Sequence, residues 1–132
     1  MSTMIFVNFP VKNVAEATNF YEKLGFTKND HFSSDHASSM VWDDHFYIML
    51  LQHSFYQQFL RDKKIADTQK ENAALICFSL ESAEAVKEFG RVAKANGGDA
   101  YHIDTEIPEE QMYGLEVSDM DGNMLEPMWM KQ

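Results

Sequence analysis

Near the C-terminus the stretch SDMDGNMLEPMWM, residues 118–130, sets a single carboxylate, Glu126, inside an apolar run. An acid among Met, Leu and Trp is costly to bury unless a cation, a metal or hydrogen-bond donors meet it. Glu126 is therefore the first candidate for chemistry, as a ligand anchor or as a general base whose pKa the apolar strand would raise. Other groups offer less. His31, Asp35 and His36 could converge on a metal if the chain folds back between them. His45, His53 and His102 have no second ligand at a readable spacing and are expected at the surface or hydrogen-bonded in a core. Cys77 alternates with Ile76 and Phe78 in an apolar strand, which predicts a buried, inert thiol. The acidic pairs Asp43-Asp44 and Glu109-Glu110 fall in a turn and a loop and read as solvated. No serine sits in a nucleophile-elbow pattern, and Gly97-Gly98 lacks the preceding strand that a phosphate loop requires.

The elements that would position Glu126 occur twice. Residues 4–9 read as a strand, and Asn13 with Glu16 three positions on opens an amphipathic helix whose face is Val14, Ala17, Phe20, Tyr21 and Leu24. Gly25 closes it. In the second half residues 74–80 form a strand, Ser82 is an N-cap, and Val86, Phe89, Val92 and Ala93 supply the apolar face up to Asn96-Gly97-Gly98. Asn13 and Ser82 lie 69 residues apart, which sets the repeat offset. Three shorter strands follow each helix, near 27–32, 38–43 and 45–52, then near 99–103, 112–118 and 123–130, with Asp121-Gly122 as a hairpin turn. The expected fold is α+β: two tandem β-α-β-β-β modules packed as curved mixed sheets around a concave cleft. A single domain spans residues 1–132, with module one at 1–52, a linker at 53–72 and module two at 73–132. Phe55 and Phe59, four apart, predict a short helix in the linker.

With 45% hydrophobic and 24% charged residues the composition is that of a globular chain. The net charge of −10 disfavours nucleic acid and anionic membranes, which need clustered Lys and Arg. No apolar run is long enough to span a bilayer, no secretory signal is visible, and Cys77 is the sole cysteine, so a cytoplasmic location is expected.

The doubled β-α-β-β-β order, with FYEKLGF at residues 20–26 and DMDGNMLEP at 119–127, resembles the vicinal oxygen chelate superfamily of glyoxalases, extradiol dioxygenases, fosfomycin-resistance enzymes and bleomycin-resistance proteins. The resemblance covers essentially the whole chain. VNFPVKNV near the N-terminus, MYG at 112–114 and the EPMWM ending look closest to a glyoxalase-like branch without an assigned activity. Metal-using members take His and Glu ligands from the first and last strands of each half. Carried over position by position, those sites fall on Phe6, Met49, Leu75 and Glu126, of which Glu126 alone suits a hard or borderline metal.

The resemblance thus implies a protein without a catalytic metal or other cofactor. It would bind a small cationic or aromatic molecule in an apolar cleft, as bleomycin-resistance members do, and form a homodimer. Strand alternation assigns Phe6, Asn8, Met49, Leu75, Met124, Glu126 and Met128 to that cleft, with Tyr113 and Trp42 at its rim. The alternative is a lyase or dioxygenase dependent on a divalent metal whose ligands lie elsewhere.

Overall fold

The computed structural model of the chain describes residues 2–132. It divides into two compact units, Met1–Ala66 and Asp67–Gln132, so the boundary falls inside the segment expected as a linker. Among the described residues there are nine strands and three α-helices.

The first unit runs β1 (Ile5–Val11), α1 (Val14–Leu24), β2 (Thr27–Lys28), β3 (Ala37–Val41), β4 (Phe46–Gln52) and α2 (His53–Gln57). Its sheet has the order β1-β4-β3-β2, with β1 parallel to β4 and the other pairs antiparallel. Pro10 is tolerated because β1 is an edge strand, where a missing N–H breaks no ladder on the open side. Asn13 caps α1, its side-chain oxygen accepting the Glu16 N–H at 2.9 Å, and Gly25 ends the helix in the left-handed region at φ 115°. The helix buries Ala17, Phe20, Tyr21 and Leu24; each large apolar side chain removed from water contributes about 2 kcal/mol. Only Thr27 and Lys28 of the expected 27–32 strand pair with β3. Asn29 then caps a 3₁₀ turn at Asp30–Phe32 by accepting the His31 N–H, a local alternative to the ladder. The Asp43-Asp44 connection is a turn in which the Asp43 carboxylate accepts the N–H groups of His45 and Phe46.

The second unit runs β5 (Ile76–Ser79), α3 (Ala83–Ala95), β6 (Asp99–Tyr101), β7 (Met112–Gly114), β8 (Glu116–Ser118) and β9 (Met124–Met130). The sheet order is β5-β9-β8-β6, with β7 also on β9 and β5 parallel to β9. The single strand expected at 112–118 is interrupted at Leu115, yet Gly114 pairs with Met128 and Val117 with Leu125, so the register is unbroken. The cause is Pro127. The Leu115 N–H donates to its carbonyl at 3.1 Å, but a proline has no N–H to return. Helix α3 lies on the face carrying Val117, Leu125 and Pro127, and buries Val86, Phe89 and Ala93 there. Gly90 brings it close: a Cβ at that position would meet Leu115 Cδ1 at 2.6 Å.

Ser82 caps α3 by accepting the Ala85 N–H at 3.0 Å. Ser82→Ala is expected to cost about 1 kcal/mol of stability, measured by urea denaturation; an unchanged midpoint would make the cap dispensable.

Candidate functional site

Parallel and antiparallel pairing brings four residues of the second unit into one row. Cys77 on β5 lies opposite Glu126 on β9. One step along the Val117–Leu125 register, Glu116 lies opposite Glu126 from the other side, and Tyr101 of β6 is the next partner of Glu116. Residues paired across a sheet point to the same face. This row, Cys77-Glu126-Glu116-Tyr101, therefore stands on the face that α3 leaves open. The neighbouring row is Ser79-Met128-Gly114. Burial follows the same alternation: Leu125 and Pro127 are buried while Met124, Glu126 and Met128 are half-exposed.

A cavity of 280 Å³ opens over these rows. Its floor includes Cys77, Gly114, Glu116, Glu126 and Met128, and its wall comes from the β6–β7 loop through His102, Ile103, Thr105, Ile107 and Glu109. The loop is held at both ends. The His102 ring stacks on Tyr113 with centroids 5.0 Å apart and planes at 9°, and Lys87 Nζ lies 5.1 Å from the same tyrosine ring. Lys87 also reaches Glu109 at 3.1 Å and Glu84 at 3.7 Å, and the Glu109 hydrogen bond raises the lysine pKa. Between these anchors Glu106 has φ 66°, with its N–H on the Asp104 carboxylate.

Two carboxyl groups side by side in a half-open cavity cannot both ionise freely. Glu116 is pushed up to about 7, first by burial, then by a hydrogen bond with Glu126 and by the negative charge of Glu126. At neutral pH the Glu116 carboxyl thus holds a proton part of the time. The Cys77 thiol is also pushed up, by partial desolvation first and then by Glu126 and Glu116. It stays a thiol at neutral pH and is a poor nucleophile. The sulfur is exposed rather than buried as the strand pattern predicts, because β5 turns Ile76 and Phe78 toward α3 and leaves Cys77 on the open face.

Of the residues the sequence assigns to a cleft, Glu126 and Met128 meet in this cavity. Met124 is on the same face, opposite Ser118, and Leu75 is exposed just before β5; neither lines the cavity. Phe6, Asn8 and Met49 share one face of the first sheet. Phe6 stacks on Tyr47 at 4.6 Å, and Asn8 lies opposite Met49. The partners of Met49 and Glu126 across the parallel ladders are Asn8 and Cys77, which keep the 69-residue offset and stand two residues beyond Phe6 and Leu75. Tyr113 lines the second-unit cavity, whereas Trp42 packs over Phe26 and Gly25. His36 Nδ1 meets the Gln52 side chain at 3.1 Å, and His31 lies in the 3₁₀ turn. Among the described residues no three His, Cys, Asp or Glu side chains gather as a metal-ligand set.

Sequence reasoning missed Glu116 and Gly114, and expected His102 at the surface or hydrogen-bonded in a core rather than on the wall of this cavity. Glu116 carries a readable signal, an acid two residues past Gly114 in a strand that must pair with LEPMW, but the pairing register is needed to see it. A second, wide groove of 450 Å³ in the first unit, bounded by Thr18, Glu22, Lys28 and Asp35, has its lysine already paired with Asp30 at 3.6 Å. It gathers no comparable chemistry.

No protein-family model and no curated protein matches the chain. Solved structures do. A hypothetical protein from S. aureus superposes with a TM-score of 0.78 at 19% identity, covering 98% of this chain and 95% of that one. A glyoxalase/bleomycin resistance protein/dioxygenase family enzyme from Burkholderia phytofirmans PsJN gives 0.78 at 17% identity, over 98% and 100%. A genomically encoded fosfomycin resistance protein from Listeria monocytogenes, solved with Mn(II) and sulfate, gives 0.69 at 16% identity, over 99% and 92%. At these identities what is shared is the fold.

Proposed function

We propose that this chain, built on the fold of the glyoxalase and bleomycin-resistance proteins, is a metal-free binding protein for a small cationic, ring-bearing molecule. The observation that carries the proposal is the 280 Å³ second-unit cavity, which sets two neighbouring carboxyl groups in an otherwise largely apolar wall. Neither carboxyl is ion-paired among the described residues: the salt bridges of this unit join Lys87 to Glu84 and Glu109, and Arg91 to Glu88. A ligand cation would supply the missing charge, and burial against Ile107 and Met128 would strengthen its contact. The volume lies at the small end for ligand sites, which points to a molecule of about one ring.

The donor set argues against a resident catalytic metal. Catalytic Zn²⁺ and Fe²⁺ sites draw on three protein ligands, and among the described residues no three His, Cys, Asp or Glu side chains are gathered so that they could share one ion. The surplus of acid over base across the chain favours the same class of ligand. A cytoplasmic homodimer with no nucleic-acid or membrane partner completes the proposal; no described helix is long and apolar enough to cross a membrane.

Isothermal titration of the purified protein with benzyltrimethylammonium, whose charge is fixed at every pH, tests this directly. Saturable binding is expected, whereas neutral neopentylbenzene, of the same shape, should bind more weakly. Stoichiometric Zn, Fe, Ni or Mn that disappears in Glu126→Gln would overturn it in favour of a metal-dependent lyase or dioxygenase.

A further inference from the structure

The β6–β7 loop is fastened differently from the strands it joins. From His102 to Gln111 every residue is exposed and none belongs to a strand. The hydrogen bonds inside it are local. The Glu106 N–H donates to the Asp104 carboxylate, and the N–H groups of Gln111 and Met112 donate to the Pro108 carbonyl at 2.9 and 3.1 Å. Two small turns of this kind hold the loop's own shape without tying its middle to the sheet. Its ties to the rest of the unit lie toward its ends. His102 stacks on Tyr113, the Lys131 N–H donates to the Gln111 carbonyl at 2.8 Å, and Lys87 holds Glu109. The Lys87 and Glu109 side chains are 40% and 53% exposed, and a solvated ion pair is weak enough to break and re-form readily.

Between these ties the loop carries two isoleucines that the fold leaves uncovered. Ile103 is 53% exposed and Ile107 44%, and both line the cavity whose floor holds Glu116 and Glu126. One exposed apolar side chain is ordinary; two from the same loop on the same cavity are surface that an occupant would take out of water. Resting on the binding function proposed above, we infer that the β6–β7 loop is a lid, latched by Lys87 and Glu109, whose Ile103 and Ile107 close on the apolar part of the ligand. The polarity of the cavity then orients its occupant. The cationic head meets the carboxyls of the floor, and the apolar end lies under the loop. A ligand shifts such a loop only by contacts it makes in the closed state and lacks in the open one. Burial of the two isoleucines is that difference, so a cation with an apolar arm closes the lid and a compact cation does not.

Amide hydrogen exchange of the segment 102–110, read by mass spectrometry, tests the lid with two probes of the same fixed charge, benzyltrimethylammonium and tetramethylammonium. At saturation, judged by calorimetric titration, the benzyl probe should slow exchange of this segment about fivefold or more, and tetramethylammonium by less than about twofold. In the free chain Lys87→Met should speed it about threefold. The double variant Ile103→Ser, Ile107→Ser should keep the wild-type melting temperature, because both side chains are exposed. It should bind the benzyl probe about tenfold more weakly and tetramethylammonium within about twofold of wild type. Exchange that a saturating benzyl probe leaves unchanged would overturn the lid while the binding function stands, and so would an unaltered benzyl affinity in the double variant. Unchanged exchange in free Lys87→Met would overturn the latch. A wild type that binds neither probe would remove the binding function, and the lid with it.

Discussion

Glu126→Gln should weaken benzyltrimethylammonium binding at pH 8 about tenfold or more, with little change in melting temperature. The substitution keeps the size and shape of the side chain and removes one negative charge from a half-open apolar cavity. Charged contacts of this kind are worth about 1.5–3 kcal/mol, and 1.4 kcal/mol is a factor of ten. The pH dependence carries a sign that separates this from a purely apolar contact. Glu116 titrates at about 7, so below that value the pair retains a proton that a cation must displace. Affinity should therefore rise as pH goes from 5.5 to 8.5, and Glu116→Gln should abolish the rise through that window. Stability runs the other way. A carboxyl raised from its ordinary 4.5 to about 7 stabilises the fold fully below 4.5 and loses that contribution as pH climbs through 7. In this half-exposed setting the loss is about 1 kcal/mol after allowance for screening by water. Binding that is flat with pH, or unaffected by Glu126→Gln, would remove the pair from the site.

Gly122→Ala is expected to destabilise the second unit by about 3 kcal/mol, lowering the melting temperature by roughly 10 °C. Gly122 has φ 89°, and a Cβ there would drive into the backbone carbonyl of Thr68. That approach exists because the start of the unit is tied to the turn: the Thr68 hydroxyl donates to the Asp121 carbonyl, and the Gln69 amide donates to that of Met120. The turn is itself ordered by buried Asp119, which accepts from the N–H groups of Asp121 and Asn123 and from the Asn123 side chain. Thermal unfolding followed by circular dichroism would measure the effect; a loss under about 1 kcal/mol would show that the turn can relax away from Thr68.

How much of this was legible in the sequence follows from which interactions are local. Helix ends at Asn13, Gly25 and Ser82 were readable because caps depend on one residue and its near neighbours. The repeat offset of 69 and the in-out alternation of Leu125, Glu126 and Pro127 were readable for the same reason. The break at Leu115 was not, since it comes from a proline twelve residues away on the facing strand. The site was half readable. Glu126 announced itself by chemical contrast, but Glu116, Cys77 and Tyr101 join it only through pairing registers, and cross-strand register is a tertiary property. His102 and the loop wall depend on stacking against Tyr113, for which no local pattern exists.

The row that carries the two carboxyls also implies an order of assembly. Glu116 and Glu126 belong to a local hairpin closed around the Asp121-Gly122 turn, and Tyr101 joins from fifteen residues away. Cys77 reaches Glu126 only through a parallel pairing that closes 49 residues of chain. Short loops close before long ones, so the hairpin forms early and the β5 edge is added late. Until that last strand docks, the paired acids stand on an incomplete sheet with one side open to water. The hairpin alone supplies the Glu126 hydrogen bond and charge that raise Glu116, while burial, the first cause of the shift, is completed only with the rest of the sheet.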